Sequence, residues 1–398
     1  MTKPPQPQRG ITLIELMVAL VIASLLAIAV ASVLASYEGH KRTTTSVNDI
    51  NQSGNYAAWT LDSLLRSAGS GFALNAPTIE DNSTQLANLI YGCKILASKN
   101  GSTVLPRSSA LPAPFADIDQ TFRLAPVLIL QDGSTPTDSG NDSDILIIMG
   151  GTSGKAEAPA YLDDYPASDS LELKNTLSFS ASDLALLTKS ELGSSGVQPC
   201  FLTQVSTSFV ESGSGSLTLG GDYYAATISG QEVSGYAKHD IALNIGNIAN
   251  GNTPVIAALG VGDNSTLFSY DLLQSTAAPL QAIASGVFEL HALYGLDTNG
   301  DGKVDSWSKP ENDFAYAALT TGSSAAASNI SQIKAIRVGL ILRTSLLEKE
   351  APNSPSLTLF SDLGSDLAYS PALSTDNTLY RYRTMEFNVP LRNPMLLE

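Results

Sequence analysis

Residues 11–35 read ITLIELMVALVIASLLAIAVASVLA, an apolar run that begins abruptly after the polar, proline-rich segment MTKPPQPQRG. From Leu16 onward the run carries no charge, and it is long enough to cross a hydrocarbon core of about 30 Å as a helix. A secretory signal would have a shorter apolar core with its cleavage site after it. The candidate cleavage site here precedes the run, between Gly10 and Ile11, so the mature protein would keep the helix as a membrane anchor.

Glu15 is the one charged residue inside this run. An ionisable group near the membrane interior costs about 2.5 to 3.5 kcal/mol, so Glu15 needs a partner. Cleavage makes Ile11 the first residue, and its ammonium group could pair with the Glu15 carboxylate of a neighbouring subunit where the dielectric is low. The alternative is a carboxylate that lies at the level of the lipid headgroups, one turn into the helix.

The helix is predicted to continue beyond the membrane segment. Residues 8–76 contain no proline, and apolar residues after position 35 recur at three- and four-residue steps. They are Val47, Ile50, Ala57, Leu61, Leu64, Leu65 and Ala68. We therefore expect the helix to end near Ala68, before Gly69 and Gly71, with an amphipathic outer half that packs on a globular domain.

The rest of the chain alternates short apolar runs with turn-forming residues, which predicts β strands. The predicted strands are Val127–Leu130, Ile145–Met149, Leu171–Leu177, Ile241–Ile245, Val255–Leu259, Val287–Tyr294, Ile333–Leu342 and Tyr380–Val389. The last three show period-two alternation and are predicted to be neighbours in an antiparallel sheet. Two polar or small-residue segments, 131–144 and 320–328, are predicted to be solvated loops.

The predicted fold is α+β, with a long amino-terminal helix packed on a β-rich, mainly antiparallel domain. Its regions are 1–10 as a leader peptide, 11–35 as the transmembrane half of the helix, 36–70 as its extracytoplasmic half, 71–280 as a β-rich region with long loops, and 281–398 as an antiparallel β region with a calcium-type loop.

Charge and cysteine content limit the function further. The net charge of −16 repels phosphate backbones, so direct binding of nucleic acid is not expected.

Cys93 and Cys200 both follow the proposed membrane segment, which indicates an oxidising compartment and favours one disulfide between them. Two separate buried thiols are the alternative, since the sequence does not show that the two residues meet.

The segment DTNGDGKVD, residues 297–305, matches the first half of an oxygen-ligand calcium loop. The candidate ligands are Asp297, Asn299, Asp301, Lys303 through its carbonyl, and Asp305. Ser308 stands where a complete EF-hand has glutamate, so we expect weak calcium affinity, as in extracellular modules. The alternative is a metal-free turn, rich in Asp and Asn, that joins two strands.

Enzyme motifs are absent from the sequence, and we expect no catalytic activity. GGTSGK at residues 150–155 is one residue short of a P-loop, and neither G-x-S-x-G nor H-E-x-x-H occurs. His40, His239 and His291 are scattered along the chain. His291 lies opposite the alternating apolar face of its strand and is predicted to be a surface or hydrogen-bonded histidine rather than a ligand.

The sequence RG followed by ITLIELMVAL resembles the class III signal of type IV prepilins and of type II secretion pseudopilins. The resemblance implies that a membrane-embedded prepilin peptidase cuts after Gly10 and methylates the new amino group of Ile11. The family usually has Phe where this chain has Ile11, which is a conservative departure.

Segments LRSAGSG, LDTNGDGKVDSW, IRVGLILRTS and YRYRTMEFNVPLRN together resemble PilW-type minor pilins, whereas residues 75–279 resemble nothing recognisable. This resemblance implies a subunit that helps to prime pilus assembly at or near the filament tip and supports twitching motility and adhesion. Its implied partners are other minor pilins, the major pilin and a large PilY-type tip adhesin.

The implied location is the bacterial inner membrane, with the globular domain in the periplasm, and then the pilus at the cell surface. Two alternatives stay open: a type II secretion pseudopilin, and a membrane-anchored enzyme or ligand-binding protein.

Overall fold

The computed structural model describes residues 10–72, 90–154, 159–194, 196–211, 215–249, 251–274, 279–348, 351–352 and 357–391. Residues 1–9 of the predicted leader lie outside the described residues. The chain groups into two compact units, Met1–Asp49 and Ile50–Glu398.

A single helix, α1 (Leu13–Ser67), runs through 55 residues at the amino terminus, as predicted. Within the second unit, Ala57, Leu61 and Leu65 are fully buried at spacings of four residues, so one face of the helix is part of the core. Gly69 follows with a φ of 78°, the left-handed conformation that commonly ends a helix.

The described residues after α1 form nineteen strands and two short α-helices. The first twelve strands are β1 (Ile95–Lys99), β2 (Ser102–Leu105), β3 (Val127–Ser134), β4 (Ser143–Gly150), β5 (Ala160–Tyr161), β6 (Ser170–Glu172), β7 (Asp183–Thr188), β8 (Cys200–Gln204), β9 (Ser216–Thr218), β10 (Thr227–Ile228), β11 (Gln231–Glu232) and β12 (Ile241–Asn247). The remaining elements are β13 (Val255–Gly262), β14 (Thr266–Asp271), β15 (Gln281–Ser285), β16 (Val287–Leu296), β17 (Ser306–Ser308), α2 (Tyr316–Leu319), α3 (Ser324–Gln332), β18 (Ile333–Arg343) and β19 (Tyr382–Pro390).

Three main sheets carry most of the strands. One has the order β2-β1-β8-β7-β12-β5, the second β15-β14-β13-β4-β3, and the third β17-β16-β18-β19. The pairing of β1 with β8 is parallel, and the other pairings in these sheets are antiparallel. The α+β prediction is thereby confirmed, including the antiparallel neighbours β16, β18 and β19.

The first sheet is buried on both faces. Leu184 and Leu186 belong to the core that contains the buried face of α1, whereas Ala185 and Leu187 belong to a second core. This follows from the period of two along a strand, which directs alternate side chains to opposite faces. Because both faces are apolar, β7 shows no hydrophobic–polar alternation, and its short apolar run of four residues, 184–187, was not predicted as a strand.

Two loop predictions were only partly right, since residues 135–142 and 320–323 are loops and the remaining residues are not. The predicted loop 131–144 contributes the end of β3 and the start of β4, and Asp144 within it is buried. The predicted loop 320–328 contains the start of α3, where the Ser323 side chain accepts a hydrogen bond from the Ala326 amide. Helices rich in Ser and Ala lack a strong apolar pattern, but a serine cap of this kind is a helix-start signal.

Two glycines at the end of β4 let the carboxyl end of α1 come close. A Cβ atom at Gly150 would lie 2.5 Å from the carbonyl oxygen of Ser67, and one at Gly151 would lie 2.9 Å from that of Ser70. The Gly69 amide donates to the carbonyl oxygen of Met149 at 2.9 Å. The glycines of the P-loop-like segment thus serve close packing, because only a residue without a Cβ fits there.

Candidate processing and assembly site

The proposed cleavage site lies just before α1. Gly10 and Ile11 precede the first helical residue, Leu13, and both are exposed. Among the described residues beyond its chain neighbours, no atom lies within 4 Å of a Cβ built on Gly10. The bond between Gly10 and Ile11 is therefore sterically open in the described part of the chain, and cleavage there stays a prediction.

Glu15 has a partner in its own chain. The Thr12 amide and hydroxyl both donate to Oε2 of Glu15 at 3.0 Å, and the Glu15 amide donates to the Thr12 hydroxyl oxygen at 3.3 Å. This reciprocal arrangement is a capping box, which satisfies amides at the start of a helix. The T-x-x-E spacing is the sequence signal for a capping box, and the charge of Glu15 does not reveal it.

The first part of α1 presents apolar side chains to its surroundings. Leu13, Leu25 and Ile28 are among residues that are more than 60% exposed. The helix is long and apolar enough to cross a membrane, judged by length and composition. Such exposure is unfavourable in water and favourable in lipid or against other apolar helices, as a membrane anchor requires.

The loop 297–305 joins β16 to β17 and is folded around two aspartates. Asp297 is buried, and its carboxylate accepts hydrogen bonds from the amides of Gly300 at 2.7 Å and Gly302 at 2.9 Å. Asp305 accepts from the amide and hydroxyl of Thr298 at 2.8 and 2.9 Å, and these bonds lower the pKa of Asp305.

The side chains of two further predicted ligands, Asn299 and Asp301, accept hydrogen bonds from backbone amides of the same loop. The Asn299 side-chain oxygen accepts from the Asp301 amide at 2.8 Å, and the Asp301 carboxylate accepts from the Lys303 amide at 2.9 Å. Among the described residues, no group of three or more His, Cys, Asp or Glu side chains is arranged to hold a metal ion. Calcium binding by Asp297, Asn299, Asp301, Lys303 and Asp305 stays a prediction, to be tested by titration.

The two cysteines form a disulfide, which confirms the favoured prediction. Cys93 and Cys200 are both fully buried, and their Cα atoms lie 5.6 Å apart. The bond joins the residue before Lys94 to the first residue of β8, beside the parallel pairing of Ile95 with Cys200.

A buried polar cluster on β16 was not predicted. Glu289 is fully buried, and its carboxylate accepts from the Asn141 side-chain amide at 2.7 Å and from the Tyr369 hydroxyl at 2.9 Å. The rings of His291 and Tyr369 are tilted by 33°, with 3.7 Å between their centroids. Nε2 of His291 lies within hydrogen-bond distance of Oε2 of Glu289, at 3.4 Å, and its Nδ1 lies 3.9 Å from Oδ1 of Asp144. His291 was predicted to be either a surface or a hydrogen-bonded histidine, and the structure shows that it is buried and hydrogen-bonded.

Burial raises the pKa of Asp144 to about 6. Its carboxylate accepts from the amides of Ala292 and Asp132, and the nearby His291 opposes the effect of burial. The cluster links β4, β16 and the segment around Tyr369, so its polar groups hold separate parts of the domain together. Residues from three distant segments form it, and no local pattern in the sequence indicates that they meet.

Two family models match the chain. The family described as the prokaryotic N-terminal methylation motif matches residues 5–31, which include the proposed cleavage site and Glu15. The family described as type IV pilus-assembly protein W matches residues 251–393, which include β13 to β19 and the loop 297–305. No curated protein and no solved structure gives a significant match.

Proposed function

The chain is a PilW-like type IV pilin, and from this we propose that it is a minor pilin that helps to prime pilus assembly. The observation that carries the proposal is the combination, in one chain, of a prepilin methylation motif, an exposed apolar helix and a PilW-family region. The helix joins the filament bundle, and the β-rich domain lies at or near the filament tip. In this position the subunit supports twitching motility and adhesion.

The proposed pathway begins in the inner membrane. Prepilin peptidase cuts between Gly10 and Ile11 and methylates the new amino group, while α1 keeps the subunit anchored and the β-rich domain lies in the periplasm. The subunit then assembles with other minor pilins, the major pilin and a large PilY-type tip adhesin. The buried disulfide between Cys93 and Cys200 fits an oxidising compartment of this kind.

The main competing function is that of a type II secretion pseudopilin, which would share the leader and helix. The match to a pilus-assembly family over residues 251–393 favours the pilus. A structural subunit is favoured over an enzyme because pilin-type families are components of filaments.

The experiment is a deletion strain of the encoding bacterium, scored separately for surface pili and for type II secreted proteins. We expect loss of pili with normal secretion, restored by the wild-type chain. Loss of secretion with normal pili would overturn the proposal in favour of the pseudopilin. Amino-terminal mass spectrometry of the complementing protein should find methylated Ile11, and intact Met1 in purified filaments would contradict the processing step.

A further inference from the structure

A solvent-open cavity of about 400 Å³ lies beside the hairpin formed by β1 and β2. The residues that matter for its chemistry are Lys99, Asn100, Ser102, Thr103, Arg107 and Gln274. They supply two cations, two hydroxyls and two amides, and no described lining residue is a carboxylate. In a chain with a net charge of −16, such a lining is locally opposite in sign to the protein as a whole.

Arg107 is 5% exposed and has only neutral partners among the described residues. Its Nη2 donates to the Tyr270 hydroxyl at 2.9 Å, and its Nη1 donates to the carbonyl oxygen of Leu272 at 3.3 Å. Its Nε is buried without a hydrogen-bond partner. A buried cation that lacks a counter-ion is costly, so an anion that approaches this guanidinium would offset an existing electrostatic penalty.

Lys99 brings a second positive charge to the same place. Its Nζ donates to the side-chain oxygen of Gln274 at 3.2 Å, while Nη1 of Arg107 lies 3.4 Å from the backbone carbonyl oxygen of Gln274. Lys99 also lies over the Tyr223 ring, 5.0 Å from its centroid. The two cations therefore converge on Gln274, and neither forms an ion pair with a described carboxylate.

Asp271 is an acidic residue that contacts Gln274, and among the described residues its carboxylate binds neutral amides rather than Lys99 or Arg107. The carboxylate of Asp271 accepts from the Leu273 amide and from the Gln274 side-chain amide, both at 2.9 Å. The hydroxyls of Ser102 and Thr103 make no hydrogen bond to any described residue and are exposed. They are free to donate to a bound molecule.

We propose that this cavity binds a small polar molecule that carries one oxyanion group. Lys99 and Arg107 compensate the negative charge, and Ser102, Thr103 and Asn100 bind the polar remainder. A volume of about 400 Å³ falls within the range of small-molecule sites, roughly 300 to 1,000 Å³, and exceeds what a bare ion needs. An acidic monosaccharide has this size and chemistry. The inference does not depend on the proposed pilus function, because it concerns binding to the isolated chain.

The test is calorimetric titration of the full-length chain in detergent, at constant ionic strength, with sodium glucuronate, glucose and sodium sulfate as separate probes. We expect saturable binding of glucuronate and none of glucose. Sulfate binding as tight as that of glucuronate would contradict the proposed contacts of Ser102, Thr103 and Asn100, because sulfate has no polar remainder for them to bind. Absence of binding by both anions at 20 mM, a concentration of the order of weak carbohydrate sites, would overturn the proposal.

Lys99→Gln should weaken glucuronate binding at least tenfold and leave the protein folded, because Lys99 is only half-buried. Lys174→Gln is the matched control, since Lys174 also lies over a tyrosine ring, 5.9 Å from the Tyr161 centroid, but does not line the cavity. Arg107→Lys keeps the charge while it removes the guanidinium, and it should weaken binding with normal folding by circular dichroism. Equal binding by wild type, Lys99→Gln and folded Arg107→Lys would contradict the assignment.

Discussion

The carboxylate of Asp144 accepts a hydrogen bond from the backbone amide of Ala292 at 2.8 Å, so a buried acid on β4 is bonded directly to β16. These strands belong to different sheets, and the bond is one of the polar links between them. The Ser143 hydroxyl adds another, because it donates to the Leu290 carbonyl at 3.1 Å and accepts from the Leu290 amide at 3.0 Å. The contact between the two sheets therefore has a polar component that responds to pH.

Stability should fall as the pH rises from about 4 to about 6. Burial raises the pKa of Asp144 from 3.8 to about 6, so in this window the folded chain holds a proton that the unfolded chain has released. The contribution of Asp144 to the free energy of unfolding is fully present below the pKa that Asp144 has in the unfolded chain. It is lost as the pH rises through the higher pKa that Asp144 has in the folded chain. At 1.4 kcal/mol per pKa unit, the loss is about 3 kcal/mol.

Urea unfolding of a fragment that begins at Ile50, measured at several pH values, checks this expectation. Asp144→Asn cannot titrate and should remove most of the slope between pH 4 and 6, whereas the exposed Asp142→Asn should keep it. An unchanged slope in Asp144→Asn would show that other groups produce the pH dependence.

Gly150→Ala should destabilise the domain through a clash with α1. The added methyl group would lie 2.5 Å from the Ser67 carbonyl oxygen, and a backbone atom has less freedom to move than the end of a side chain. Overpacking of this kind costs about 1 to 3 kcal/mol. Gly154→Ala is the matched control, because no atom of the described, non-neighbouring residues lies within 4 Å of its added methyl group. Thermal unfolding of both variants measures the effect, and equal melting temperatures would contradict it.

The sequence predicted the elements that show a repeating apolar pattern. The helix was expected from Ile11 to Ala68 and is observed as Leu13–Ser67, and β18 was expected at residues 333–342 and is observed as Ile333–Arg343. The periodicity of α1 and β18 is visible in the sequence because one face of each element carries more apolar residues than the other face. β4, which is also buried on both faces, was predicted from its uninterrupted apolar run at 145–149, whereas the apolar runs of β7 and β8 are shorter and were missed.

Polar sites formed by neighbouring residues could be predicted from the sequence, and those formed by distant residues could not. The loop 297–305 is local, so its ligand types could be listed from the sequence, and the Thr12–Glu15 capping box was also readable from its spacing. The cluster of Asp144, Glu289 and Tyr369 and the cavity beside Arg107 depend on long-range topology. Residues more than 140 positions apart meet there, and no local pattern indicates that they do.

Calcium should stabilise the chain through the loop 297–305. The loop holds three carboxylates within nine residues, and a divalent ion would offset their mutual repulsion. A ligand at 100 times its dissociation constant adds about 2.7 kcal/mol when it does not bind the unfolded chain. The melting temperature should therefore rise between chelator and millimolar calcium. Asp301→Ala should remove most of the rise, and Asp313→Ala, outside the loop, should not.

A melting temperature that is identical in chelator and calcium, with no heat of binding, would leave the loop as a metal-free turn. The fragment for this test must retain the outer half of α1. Ala57, Leu61 and Leu65 are fully buried in the core, so a fragment that begins after the helix would expose the surface that they cover.

Glu15 is expected to act through its charge during assembly, beyond its role in the capping box. Glu15→Ala removes both the charge and the cap, whereas Glu15→Gln keeps an acceptor for the Thr12 amide and loses only the charge. If the carboxylate pairs with the methylated amine of a neighbouring Ile11, both variants should insert in the membrane and both should be poorly incorporated into pili. Immunoblots of membrane fractions and of sheared pili measure the two quantities separately. Glutamine supports the capping box but cannot form an ion pair. Normal incorporation of Glu15→Gln together with poor incorporation of Glu15→Ala would therefore mean that assembly requires the cap and not the charge.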